Sequence, residues 1–154
     1  MNTDKIPNSY VAPTDLLAER VILVTGAGDG IGKAVSLACA AHGATVILLG
    51  RTVHKLESVY DDIVTAGGPK PAIYPMDLEG AVPEDHWQLA QRVDAELGRL
   101  DDLLHNAGLP GTLTPLELYD TLEWLRVMQV NVHAPFPLSQ ACLPLLKRAP
   151  AASL

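Results

Sequence analysis

Four glycines within seven residues, set where a buried strand gives way to a helix, constrain this chain more than any other feature. Val21-Ile22-Leu23-Val24 is short and continuously apolar, the pattern of a strand covered on both faces. Gly26-Ala27-Gly28-Asp29-Gly30-Ile31-Gly32 follows. Ile31, Ala34, Val35, Ala38 and Cys39 then recur at helical spacing, which predicts one inward helix face, and Gly43 ends that helix. Such a turn brings bare backbone close to a ligand, while the helix N-terminus offers unpaired N–H groups and a positive dipole end. A pyrophosphate suits both, so a dinucleotide is the first ligand to consider. A structural tight turn in an unrelated α/β protein would use similar glycines, and so would the adenosylmethionine loop of a methyltransferase.

The strand–helix cycle repeats. Thr45 to Leu49 reads as a second buried strand, and Val53, Leu56, Tyr60 and Ile63 mark a second helix closed by Gly67-Gly68-Pro69. Ala72 to Met76 is a third strand. Pro83 opens a third helix expected to carry Trp87, Ala90, Val93 and Leu97 inward, and Gly98 stops it. Leu100 to His105 reads as a fourth strand. Asp120 with Glu123 suggests a capping box, opening a long helix towards Lys147 with Trp124 in its core. This alternation predicts an α/β doubly wound parallel sheet of Rossmann type, strand order 3-2-1-4, without the later strands. Residues 1–15 read as an N-terminal arm and 16–154 as the dinucleotide-binding domain.

The 154 residues carry a net charge of −7 with scattered cations, which argues against nucleic acid as a partner. Hydrophobic content of 48% with 19% charged residues fits a globular core, and no apolar run approaches a membrane span. Cys39 and Cys142 lack CxxC or Cys/His spacing and read as small hydrophobes in a reducing compartment, which makes the cytoplasm the expected location. No metal site is expected, because His42, His54, His86, His105 and His133 show no ligand spacing. Asp61-Asp62 and Asp101-Asp102 read as solvated or capping pairs.

The residue after the second strand bears on the choice of nucleotide. NAD binders place a carboxylate there for the ribose hydroxyls; this chain has Gly50-Arg51. A guanidinium clamps a 2′-phosphate by paired, charge-assisted hydrogen bonds, so Arg51 favours NADP (NADPH) and disfavours the methyltransferase. A solvated Arg51 at a helix entry is the plainer alternative.

With these residues in view, the chain resembles the short-chain dehydrogenase/reductase family. Thr25-Gly26-xxx-Gly30-Ile31-Gly32 is similar to its TGxxxGIG signature, and Met76-Asp77-Leu78 to its adenine-contacting Asp-Leu/Val. Asn106-Ala107-Gly108 resembles its NNAG motif with His105 in place of the first Asn, and Val130-Asn131-Val132 resembles its VNV. The spelling of the glycine turn, with Leu-Leu-Gly-Arg later, is similar to the YciK-type bacterial branch. The resemblance implies a single Rossmann domain and hydride transfer between a nicotinamide cofactor and a small-molecule alcohol or carbonyl. It further implies that Gly26, Gly28, Asp29, Gly30, Ile31 and Gly32 line the pyrophosphate and adenosine ribose. Arg51 would meet the 2′-phosphate and Asp77 and Leu78 the adenine, with Asn106, Ala107 and Gly108 along the nicotinamide-side ribose. Position 28 is often Ser in the family and is Gly here. Asn131 corresponds to a member of the catalytic tetrad, and the family usually forms homo-oligomers through its helix.

Asn131 also has a physical reading. Pro135 has no N–H, so the Asn131 carbonyl loses its helical i+4 donor, and Pro137 frees that of His133 in the same way. A freed acceptor suits the water-held proton relay that the resemblance implies; a plain proline kink is the alternative. The family's chemistry also needs a Ser and a Tyr–x–x–x–Lys pair, whose Lys lowers the Tyr pKa. Tyr10, Tyr60, Tyr74 and Tyr119 are followed four residues on by Thr14, Val64, Leu78 and Glu123. The 154 residues are thus expected to be the cofactor half of a longer enzyme, inactive alone. A non-catalytic NADP-binding or interaction protein on the same fold is the alternative.

Overall fold

The computed structural model describes residues 10–154; most of the expected N-terminal arm, residues 1–9, lies outside them. Four parallel strands form the sheet: β1 (Val21–Thr25), β2 (Thr45–Gly50), β3 (Ala72–Pro75) and β4 (Asp102–Leu104), in the order β3-β2-β1-β4. Helices α1 (Gly30–Ala41), α2 (Val53–Thr65) and α3 (Pro83–Leu97) connect them. Beyond β4 come α4 (Thr121–Met128), a π-helical segment (Gln129–His133) and α5 (Pro135–Leu146). The fold is the doubly wound α/β sheet that the alternation implies.

Side-chain alternation along β1 assigns the two faces. Ile22 and Val24 join Val46, Leu48, Leu56, Val59 and Ile63 on the α1/α2 side. Val21 and Leu23 join Ile47, Leu49, Leu89, Val93, Leu138 and Cys142 on the α3/α5 side. Leu23 and Leu48 are fully buried, each stabilising the fold by about 2 kcal/mol through area removed from water.

Two helix faces differ from the sequence expectation. In α1 the buried residues are Gly32, Ser36 and Ala40, while Ile31 is 75% exposed. A stripe of small residues at i, i+4 lets the helix lie close to the sheet, so small size decides the face more than hydrophobicity does. Ser36 satisfies its buried hydroxyl by donating to the Gly32 carbonyl at 2.7 Å. In α3 the buried stripe is His86, Leu89, Ala90 and Val93, and Trp87 lies largely outside it. Burial removes the penalty-free charged state of His86, and its pKa is pushed down. Trp124 is likewise half exposed, standing edge-on to Tyr119 at 6.3 Å.

Asp61 and Asp62 are solvated, as expected, but Asp101 and Asp102 are not. Asp101 is 2% exposed, accepts from the Val21 N–H at 2.8 Å and binds Arg99 through both oxygens. Asp102 pairs with Arg20 in the same two-pronged way, and Asp62 with Lys33 at 2.8 Å. Ser153 exchanges backbone bonds with Asp101 and Leu103 at 3.1 Å, a parallel bridge against the outer side of β4.

The long helix after Asp120 is interrupted. Asp120 accepts from the Glu123 N–H at 2.9 Å, but the Glu123 carboxylate accepts from Thr112 Oγ1, so only half of the capping box forms. Around Asn131 the ladder widens, with Ala134 N–H donating to the Gln129 carbonyl at 2.8 Å. Pro135 removes the donor an α-helical turn would need there, and a π turn takes its place where a simple kink is the other expectation.

Candidate functional site

Parallel strands all point their C-terminal ends the same way, and a cleft of about 440 Å³ opens there, over β1 and its neighbours. Its walls come from Gly26, Asp29, Gly30 and Ile31 of the turn, Gly50 and Arg51 after β2, and Asp77 and Leu78 after β3. Asn106, Ala107 and Gly108 after β4 complete it. Residues from four separate loops that the sequence singled out therefore share one cavity. Gly28, Gly32 and Asn131 do not line it.

Those three have other places. A Cβ on Gly32 would stand 2.2 Å from the Gly26 carbonyl oxygen and 2.5 Å from Asn106 Nδ2. Gly32 is therefore what allows the first turn of α1 to lie against the glycine turn. A Cβ on Gly28 would meet the Lys55 side chain at 3.0 Å. Asn131 faces the loop after β4: its Oδ1 accepts from Leu109 N–H at 2.8 Å and its Nδ2 donates to the Leu109 carbonyl at 2.9 Å. Both polar atoms of the side chain are thus committed, and they hold the chain just beyond Gly108.

Thr25, which the motif contains but sequence reasoning gives no role, is the hub of the site. Its hydroxyl accepts from the N–H groups of Asn106 and Ala107 at 3.0 Å and contacts the Leu104 carbonyl at 3.3 Å. Asn106 Nδ2 donates back to the Thr25 carbonyl at 2.9 Å. These bonds close the gap between β1 and β4 with neutral groups, leaving no carboxylate in that part of the cleft. His105 stands behind it, with Nε2 at 2.8 Å from Ser139 Oγ, whose own proton goes to the Pro135 carbonyl. Nε2 is then the donor, and burial pushes the His105 pKa down.

Electrostatics single out one residue. Arg20, Arg92, Arg99, Arg126 and Arg148 each pair with a carboxylate. Among the described residues Arg51 alone of the arginines has no such partner, and it stands in the cleft wall. Glu79 feels the Arg51 charge, but Arg126 takes both oxygens of that carboxylate, at 2.7 and 3.2 Å. The Arg126 bond, opposed by burial and aided by the charges of Arg126 and Arg51, holds Glu79 below the usual carboxylate range. At the turn, Asp29 caps α1 by accepting from Gly30 N–H at 2.8 Å and from Lys55 Nζ at 2.6 Å. Lys55 is a neighbour the sequence does not announce, since its reach to Asp29 depends on the packing of α2.

The fit to a dinucleotide phosphate is physical: an unpaired guanidinium, a helix N-terminus, and glycines where side chains would fill the approach. A model of the short chain dehydrogenase family matches residues 20–154, and the chain belongs to that family. It is 48% identical over 145 residues to the uncharacterized oxidoreductase YciK of Escherichia coli K12, covering 94% of this chain and 58% of that protein. Among solved structures, a short chain dehydrogenase from Pseudomonas syringae superposes with a TM-score of 0.90 at 52% identity. That match covers 93% of this chain and 59% of that one. A short chain dehydrogenase from Shigella flexneri, solved in complex with NADP, gives 0.89 at 48% identity, covering 92% and 59%. The chain thus spans somewhat under three-fifths of these relatives' length. Among the described residues no helix is long and apolar enough to cross a membrane.

Proposed function

We propose that this chain is the cofactor-binding part of an NADP-preferring oxidoreductase that moves a hydride between the nicotinamide and a small alcohol or carbonyl substrate. The observation that carries the reading is Arg51: a cation in the cleft wall with no carboxylate partner among the described residues, while the other arginines are neutralised. The solved relative complexed with NADP supports the same cofactor here.

In this reading Gly26, Asp29, Gly30 and Ile31 lie along the pyrophosphate and adenosine ribose, with Gly28 and Gly32 shaping the turn from behind. Arg51 holds the 2′-phosphate, Asp77 and Leu78 the adenine, and Asn106, Ala107 and Gly108 the second ribose. When bound, the cofactor supplies hydride donation or acceptance. Asn131 fixes the Leu109 backbone through two hydrogen bonds, and its carbonyl, stripped of an α-helical donor by Pro135, is the acceptor for a proton-relaying water. Residues 16–154 form one Rossmann unit of a cytoplasmic protein, the compartment being supported by two cysteines that remain free. Leu122 and Leu125 of α4, Val132 of the π-helical segment and Phe136 of α5 are exposed, and these apolar side chains support a homo-oligomer of the full-length form.

The test is consumption of NADPH by the full-length protein against a panel of aldehydes and ketones, with NADH in parallel. Turnover with NADPH well above NADH is expected. Tight NADPH binding with no turnover on any carbonyl would instead favour a non-catalytic binding protein.

A further inference from the structure

Asp29 presents a difficulty for any anionic cofactor. Its carboxylate lies at the N-terminus of α1, in the cleft wall, where a helix end would otherwise attract phosphate. A bare negative charge there weakens the field that Arg51 and the helix dipole create. Lys55 removes the difficulty. It projects from the first turn of α2, one helical turn beyond Arg51, and its ammonium sits 2.6 Å from Asp29 Oδ2. Lys55 does not itself line the cleft. Its stem lies against Gly28, where a Cβ would stand only 3.0 Å away, so the bare backbone at position 28 is what lets Lys55 cross the turn. The other lysine close to Asp29, Lys33, is engaged with Asp62 at 2.8 Å and leaves the masking to Lys55.

We propose that the Asp29–Lys55 ion pair is a charge mask, and that Lys55 sets the preference for a 2′-phosphorylated cofactor by neutralising Asp29 rather than by gripping the phosphate. This deepens the NADP reading above and rests on it. Lys55 is thus a positioning residue, acting through Asp29. The pair is too exposed to matter much for stability, since water screens both partners. Its effect is on ligand charge, which is largest for the nucleotide carrying the extra phosphate.

The experiment is a titration of the full-length protein with NADPH and with NADH at low ionic strength, across three variants. Lys55→Met uncovers Asp29 and is expected to weaken NADPH about tenfold, with NADH changed by about threefold or less. Asp29→Asn keeps a good helix cap and is expected to tighten NADPH severalfold. The double variant, again without net charge, is expected to return to within about threefold of the wild type. That rescue separates a mask from a direct contact. A double variant as weak as Lys55→Met would mean that Lys55 holds the phosphate itself, and would overturn the proposal; so would an unchanged Lys55→Met. A wild type that binds NADH as tightly as NADPH would remove the NADP reading, and the mask with it, whatever the variants do.

Discussion

β1 and β4 meet at both ends, and the two junctions are closed by different chemistry. At their beginnings Arg20 clasps Asp102, Arg99 clasps Asp101, and Asp101 also accepts the Val21 N–H. At their ends Thr25 and Asn106 exchange neutral hydrogen bonds with backbone, while Arg51 nearby stays without a carboxylate. One end spends its charges on itself. The other keeps a cation in reserve beside an open cleft, and the difference separates a structural seam from a binding site within the same pair of strands.

The binding end is most vulnerable at Gly32. Gly32→Val drives side-chain atoms into the Gly26 carbonyl and Asn106, and should destabilise the full-length protein by about 3 kcal/mol or more. Urea unfolding would show it, together with loss of NADPH binding, because packing and site share that glycine. Asp101→Asn attacks the opposite seam. It leaves Arg99 without its counter-charge and weakens the bond to Val21, at a cost of about 2 kcal/mol, while NADPH affinity of the folded protein stays at the wild-type value. A matching drop in affinity would show that the two ends are not separable.

Acid sharpens the contrast with a smaller effect. His105, behind the cleft, has its pKa pushed by burial below the ordinary 6.5. Below that pH the unfolded chain takes up a proton that the folded one resists, so stability falls as acid is added, and His86 adds to the same window. Burial pushes Asp101 upward, but Arg99 and the Val21 N–H outweigh it, and its contribution is lost only below the ordinary 3.8. Asp102, raised by burial against the pull of Arg20, offsets part of that loss. The urea midpoint should therefore decline first just below pH 6.5, and His105→Asn should flatten that part of the curve. A midpoint level down to pH 4 would contradict it.

The strands were legible because short apolar runs such as Thr45 to Leu49 are satisfied best in a sheet covered on both faces. The cleft was legible because its motifs sit at strand ends, where topology must gather them. Helix faces were less so. Gly32, Ser36 and Ala40 look unremarkable as a list, yet closeness to the sheet selects them over Ile31 and Val35. His86 takes the inward position ahead of Trp87 because of where it falls on the α3 stripe, at a cost, since its Nδ1 is buried without a hydrogen-bond partner among the described residues. Lys55 was invisible for a different reason: its partner lies 26 residues away, and only the packing of α2 beside the glycine turn brings them together.

Arg51, without a carboxylate partner among the described residues, is the group on which the NADP reading turns. The most direct test of that reading is the ratio of NADPH to NADH affinity in full-length Arg51→Gln, measured against the wild type. The ratio should fall by about thirtyfold or more, nearly all of it through weaker NADPH binding, as loss of a charge-assisted phosphate clamp requires. An unchanged ratio, or an equal loss for both nucleotides, would contradict the account.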